Sequence, residues 1–372
     1  MKVLHLITSL NRGGAENHLL CLIRGQLIKK HKVYIVYLKG DGYWKNYFLS
    51  LGVQVLKLNE INLFSQILTI KKTIKNEKID IVHSHLPHME LLGYFSVLGN
   101  SYTKFIISKH VDNDYFGGSQ IKKNSIISSI ISLVIYSKAH KIIAISKSVK
   151  NFLIKSTYNK FKDKISVIYY GLDDFYIKKC LTISHKKIID KDQCIKFGFI
   201  GRLVKQKQVD KLILSFSKLV EENNYKKKDI KLLIAGSGPE KKNLIKLANR
   251  LNISKNIIWI NFTDDVGSIF NQIDVLCMNS SFEGLGLVML EAMAYSKPII
   301  GPNISAIPEV IKHQINGLLV QPENINDYTK AMSQLLNAEK RVNLSQNSLK
   351  ILKQNFNYDI MLNKIMTIYN TK

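Results

Sequence analysis

Short apolar runs alternate along this chain with longer stretches in which apolar positions recur every three or four residues. The runs KVLHLIT, VYIVYLK, VQVLKL, IDIVHSH and KFIISKH are apolar on both faces, which predicts strands of a parallel sheet covered on each side. Between them, the stretch from Glu16 to Lys30 and the segment SQILTIKKTIKNEK have helical spacing. After KIIAISKSV and ISVIYYGLD the periodicity stops over the hydrophilic FYIKKCLTISHKKIIDKDQ, so a linker is expected at about 174–193. IKFGFIGRL then opens a second series, with IKLLIAGSG, NIIWIN, DVLCMN and PIIG as strands and helices between them. The pattern predicts an α/β protein of two doubly wound, Rossmann-like parallel-sheet domains facing a central cleft. A length of 372 residues agrees, since one core seldom grows that large.

Composition adds a bias toward anionic partners. The net charge is +26, and residues 1–187 carry 29 Lys and Arg against 11 Asp and Glu. Such a field suits a phosphorylated substrate, an anionic membrane surface or nucleic acid, although a general abundance of Lys, Ile and Asn accounts for it equally well. No aromatic-interleaved RNA motif or helix-turn-helix pattern is present, so nucleic acid is not expected as a partner. The four cysteines, Cys21, Cys180, Cys194 and Cys277, are scattered without metal-ligand spacing, which suggests a reducing compartment and no structural metal. The N-terminal stretch lacks a signal-peptide pattern, and IISSIISLVIY is shorter than the roughly 20 residues that span a bilayer. A cytoplasmic protein, peripheral on the inner membrane face if membrane-bound at all, is expected. The Ile-rich IKKNSIISSIISLVIYSKAHK would serve either as a core helix or as a membrane-docking one.

The candidate chemistry falls at predicted strand ends, where open α/β sheets bind ligands. Arg202 and Lys207 in GRLVKQK are cations placed to neutralise a diphosphate. In SFEGLGLVMLEAMA, Glu283 and Glu291 stand about two helical turns apart, so both carboxylates would flank one helix start and accept from sugar or ribose hydroxyls. Gly284, Leu285 and Gly286 between them would offer backbone N–H groups. Gly13 and Gly14 in NRGGAE, and Gly236 and Gly238 in IAGSGPE, form turns that either approach a phosphate or merely start a helix; the third glycine of a dinucleotide fingerprint is missing from the latter. His110 would hydrogen-bond a sugar hydroxyl when neutral or oppose phosphate charge when protonated. His83 and His85, candidates for the acceptor side, are expected to point to opposite faces and to make a poor joint metal site. Asp112-Asn113-Asp114 matches a short metal-binding pattern common in polar loops, and metal use is not expected.

Taken together, GGAE, HSH, ISKH, IIAISKSV with VIYYGLD, GRLVKQK, GSGP, SFEGLGLVMLEAMA, KPII and NGLLV resemble the retaining glycosyltransferases of family four, glycosyl transferases group 1, which have the GT-B fold. The resemblance implies an acceptor-binding domain at 1–180, a nucleotide-sugar-binding domain at 181–354, and a final helix at 355–372 crossing back to the first domain. It implies a UDP-, GDP- or ADP-sugar donor and a glycan or lipid-linked acceptor, as in lipopolysaccharide, capsule or O-antigen biosynthesis, with no metal or other cofactor. Arg202 and Lys207 would hold the diphosphate, Glu291 the ribose, and Glu283 with the following backbone the sugar. Gly14 would approach the phosphates, and His110 would stand by the transferred sugar. The chain departs from the family's pattern at His140, where Asp is usual, at Tyr170 for Asn, and at Ser305 for Gly. A non-catalytic basic membrane- or nucleic-acid-binding protein and a GT-B phosphorylase or epimerase are the competing readings.

Overall fold

The computed structural model describes residues 1–11, 13–59, 62–111, 124–173, 176–178, 180–181, 194–223, 229–263 and 265–371. The Asp112–Asp114 pattern and most of the expected linker lie outside them. The chain forms two compact units, Met1–Tyr170 with Tyr358–Lys372, and Gly171–Asn357.

The first unit holds strands β1 (Lys2–Ser9), β2 (Lys32–Lys39), β3 (Gln54–Lys57), β4 (Ile81–His85), β5 (Lys104–Lys109), β6 (Lys141–Ala144) and β7 (Ile165–Val167). They form one sheet in the order β3-β2-β1-β4-β5-β6-β7, with parallel pairing throughout, so the winding reverses between β1 and β4. Register sets His5 beside His83, and His85 beside Ser108. His83 and His85 share one face, with ring centroids 4.3 Å apart, contrary to the expectation from sequence. Strand side chains alternate, so residues two apart fall on the same side. Ser84 is the one that turns away, toward Gly93 of the Pro87–Val97 helix.

The histidine face is covered by the helices Gly14–Ile28 and Tyr358–Asn370. Met361, Leu362, Ile365 and Tyr369 pack there against Val3, Leu22, Ile81 and Ile106. The two helices come so close that a Cβ on Gly25 would lie 2.5 Å from Leu362 and from the Tyr358 hydroxyl. The Asn124–Lys138 helix buries Ile135 and Tyr136 while Ile130 and Val134 stay exposed, so it is partly core. Among the described residues no helix is long and apolar enough to cross a membrane.

The second unit begins at Gly171 rather than near residue 181, because the Leu172 N–H donates to Phe356 O at 3.0 Å and Leu172 bridges to Asn357. Its strands are β8 (Ile195–Ile200), β9 (Ile230–Ala235), β10 (Ile257–Ile260), β11 (Val275–Cys277), β12 (Ile299–Pro302) and β13 (Gly317–Val320), in the order β10-β9-β8-β11-β12-β13. All pairs are parallel, and the winding reverses between β8 and β11. Phe197, Phe199, Phe216, Leu232 and Tyr328 are central to its core.

Candidate active site

In the second unit, the loops after β8 and β11 leave the sheet at the reversal of strand order, where ligands of such sheets bind, and the loop after β9 lies beside that of β8. Arg202 follows β8, is exposed, and makes no hydrogen bond or ion pair with a described side chain. Lys207, in the turn Lys205–Lys207, forms a short ion pair with Glu283, whose carboxylate also accepts from Ser280 Oγ at 2.7 Å. Both partners are largely buried, with side-chain exposures of 15% and 10%. The two loops are joined further by the Ser281 N–H donating to Gln206 O at 2.9 Å and Gln206 Nε2 donating to Phe282 O at 2.9 Å. An ammonium has three N–H donors, so Lys207 keeps capacity for an anion while holding Glu283.

The helix after this loop spans Leu287–Ala294, with Gly286 at its N-cap at φ 83°. Only Glu291 is therefore helical, and the expected two-turn spacing of the carboxylates does not apply. Glu283 is placed by the loop instead: Ser305 Oγ accepts from its N–H at 3.3 Å and donates to its carbonyl at 2.7 Å. Ser305 does this from φ 54°, which explains why glycine is the family's usual choice there. Gly284 and Leu285 are buried in the same loop. Glu291 is partly buried, and burial raises its carboxyl from 4.5 to about 7. Burial thus favours its protonated form, an O–H donor, over the pure acceptor that its charge would suggest. Tyr176 and Tyr295 titrate upward, chiefly through burial, with the Glu291 charge adding to the effect.

Gly236 and Gly238 serve the protein's own backbone. A Cβ on Gly236 would lie 1.9 Å from Gly201 O, and one on Gly238 would lie 2.3 Å from Leu203 O. The Leu203 N–H donates to Ser237 O at 2.8 Å, so this turn buttresses the segment that carries Arg202.

In the first unit, Gly13 caps the Gly14–Ile28 helix and Gly14 is its exposed first residue. A Cβ on Gly13 would lie 2.3 Å from Glu16 Oε2, and the Glu16 carboxylate accepts from Ser9 Oγ at 2.6 Å. Gly13 is extended at φ −173° and its nearest neighbour is the mobile end of the Glu16 side chain, so the unit's own packing does not demand a glycine here.

His110, after β5, is buried together with His83 and His85. His85 Nδ1 lies 3.1 Å from His110 Nε2, and His5 Nδ1 lies 3.1 Å from His85 Nε2. His5 Nε2 meets Gln26 Oε1 at 2.9 Å, and the Tyr170 hydroxyl closes on His110 Nδ1. Burial lowers His110 to about 3 and His5 to about 4, and holds His83 and His85 well below 6.5. All four rings are neutral at pH 7, which removes the phosphate-opposing imidazolium and leaves the hydrogen-bonding role for His110. His5, His18, Gln26 and Tyr369 were not visible as site neighbours; a lone His inside the apolar run KVLHLIT was the one hint. Tyr170 stacks on His18 at 4.2 Å, and His140 Nδ1 accepts from the Phe105 N–H at 3.1 Å, so two departures from the family's pattern have local structural partners.

His5, His83 and His85 could in principle hold a cation, since each offers a ligand atom within 4.8 Å of the others. Their ring nitrogens are already engaged. His83 Nδ1 meets the Tyr369 hydroxyl at 2.6 Å and its Nε2 meets Ser108 Oγ at 2.8 Å, so a metal would have to break most of these bonds.

The profile of Glycosyl transferases group 1 matches residues 182–351, and that of Glycosyltransferase Family 4 matches residues 12–174. Among curated proteins, the capsular polysaccharide biosynthesis glycosyltransferase CapM of Staphylococcus aureus is 25% identical, aligned over 100% of this chain and 97% of its own. The O-antigen biosynthesis glycosyltransferase WclY of Escherichia coli is 26% identical over 100% and 98% of the two chains. Among solved structures, Anabaena HepE in complex with UDP and glucose superimposes with a TM-score of 0.80 at 17% identity, covering 99% of this chain and 98% of its own. With each profile falling on one of two parallel-sheet units, the chain belongs to the family-four glycosyltransferases of the GT-B fold.

Proposed function

We propose that this glycosyltransferase moves a sugar from UDP to a glycan or lipid-linked acceptor of cell-surface polysaccharide, with retention of anomeric configuration and without a metal. The paired Lys207 and Glu283 loops, with exposed Arg202 on the adjacent strand end, carry the reading. They put two cations and a carboxylate on neighbouring loops of one sheet, which supports a diphosphate and a sugar held side by side. The curated relatives named for capsule and O-antigen synthesis, and the UDP held by HepE, support the substrate classes.

In the reaction, the bond from the anomeric carbon to the diphosphate breaks with its electron pair going to the phosphate oxygen. Arg202 and Lys207 neutralise the charge that builds there, the principal catalytic contribution. The acceptor oxygen attacks on the face that the diphosphate leaves, and its proton passes to the departing phosphate. Glu283 and the N–H groups of Gly284, Leu285 and Gly286 hold the donor sugar, and Glu291 holds the ribose. The first unit takes the acceptor, and its excess of lysines draws the enzyme to the anionic cytoplasmic face of the membrane.

The test is a thermal-shift panel of UDP-, GDP- and ADP-sugars without added metal, on wild type and Arg202→Ala. Stabilisation of wild type alone by a UDP-sugar is expected. No stabilisation by any donor well above typical substrate concentrations would overturn the assignment and favour a binding protein. Proton NMR of the product's anomeric coupling tests retention, and flotation with vesicles of varied anionic lipid content tests the membrane step.

A further inference from the structure

Seven hydrogen bonds in the first unit join into one line: Tyr170, His110, His85, His5, Gln26, Tyr369, His83, Ser108. Every side chain in it is buried. A neutral imidazole has one donor and one acceptor nitrogen, so each ring transmits the direction of its neighbour's bond.

The direction follows from Gln26. Its Oε1 can only accept, so His5 carries its proton on Nε2 and accepts at Nδ1. His85 then donates from Nε2 to His5 and accepts at Nδ1, and His110 donates from Nε2 to His85. His110 Nδ1 is left with a lone pair, which the Tyr170 hydroxyl fills. On the other side Gln26 Nε2 donates to the Tyr369 hydroxyl at 3.1 Å, Tyr369 donates to His83 Nδ1, and His83 Nε2 donates to Ser108. Reversing the Gln26 amide would reverse every bond, and the Tyr170 O–H would then point away from its one hydrogen-bond partner among the described residues. Tyr170 is 4% exposed, so that donor would be buried without an acceptor.

We propose that Gln26 and Tyr170 are positioning residues that lock His110 in its Nε2–H tautomer, so that the nitrogen at the end of the chain presents a lone pair. A group that exchanges with Tyr170 at that nitrogen has to donate a hydrogen bond. A sugar hydroxyl fits this requirement and an ionised phosphate oxygen does not, so the chain selects for a hydroxyl at that nitrogen. The use of that selection in turnover rests on the glycosyltransferase reading above; the tautomer itself does not.

The experiment is long-range proton–nitrogen NMR of the full chain with 15N-labelled histidine at pH 7, free of ligand. Wild type is expected to show His5, His83, His85 and His110 each as a single Nε2–H tautomer. Gln26→Leu removes the directing acceptor, and Tyr170→Phe removes the terminal donor while keeping the ring stacked on His18. Both are expected to give His110 mixed tautomer signals, with circular dichroism unchanged in Tyr170→Phe. With UDP-glucose hydrolysis as the probe reaction, Tyr170→Phe is expected to lower kcat about tenfold with KM within about twofold. An Nδ1–H signal from His5, His85 or His110 in wild type would overturn the proposal. So would one equivalent of zinc in the purified protein, or variants whose His110 signals match wild type. If wild type hydrolyses UDP-glucose, an unchanged rate in Tyr170→Phe despite mixed tautomers would remove the positioning role. Failure of the function itself would show separately, as loss of every donor-induced thermal shift.

Discussion

Replacing Glu291 with Gln should make the protein more stable at alkaline pH and leave it nearly unchanged at acidic pH. Burial raises this carboxyl from 4.5 to about 7. Between those values the unfolded chain has released a proton that the folded chain keeps, so stability is fully present below about 4.5 and is lost as pH rises through 7. At about 1.4 kcal/mol per pH unit the full penalty is about 3 kcal/mol, an upper value because some solvent reaches the side chain. Glutamine has the same shape without a charge to desolvate. The assay is a series of melting temperatures for wild type and Glu291→Gln from pH 5 to 8.5. The difference is expected to be small at pH 5, about a quarter of its full size, and to grow to about 8 °C in favour of the variant at pH 8.5, if the second unit melts as one transition. A difference independent of pH, or one favouring wild type at pH 8.5, would refute the reasoning. Donor binding adds a second readout. Ribose hydroxyls donating to the ionised carboxylate would lower its pKa, so calorimetry with UDP in buffers of different ionisation enthalpy should detect proton release in wild type and less in the variant.

Three further outcomes are expected. Lys207→Met leaves the Glu283 carboxylate largely buried with Ser280 as its remaining described side-chain partner, and should lower stability by about 1–3 kcal/mol and kcat by about 10²–10³; Lys205→Met, at an exposed neighbour, should change neither in melting and steady-state assays. Gly236→Ala forces a Cβ to within 1.9 Å of Gly201 O and should cost about 2–4 kcal/mol in urea unfolding, whereas Gly52→Ala, at φ 78° with open space around it, should cost about 1 kcal/mol from backbone strain alone. Acidification from pH 7 to 5.5 should lower the melting temperature of Glu291→Gln, in which the opposing carboxyl is gone, because the unfolded chain protonates His5, His83, His85 and His110 below about 6.5 while the folded chain keeps them neutral; a rise in that variant over that range would contradict their burial.

The two parallel sheets were legible in the chain's pattern, since runs such as VYIVYLK and IKLLIAG are apolar on both faces and can only be buried on both. The sequence also placed Arg202 and Glu283 at strand ends, through short motifs whose chemistry is local. The helix start at Leu287 was less legible, because an apolar periodic stretch does not reveal where a glycine at positive φ interrupts it. Tertiary structure alone decided what Glu283 and the histidines touch. Glu283 meets Lys207 across 76 residues of chain, and His83 meets Tyr369 across 286. Such pairings are set by strand order and by which helix covers which face, and no local pattern encodes them. The same applies to protonation: His110 and Glu291 are ordinary letters in the sequence, and only the removal of water around them holds one neutral and brings the other to the edge of ionisation at pH 7.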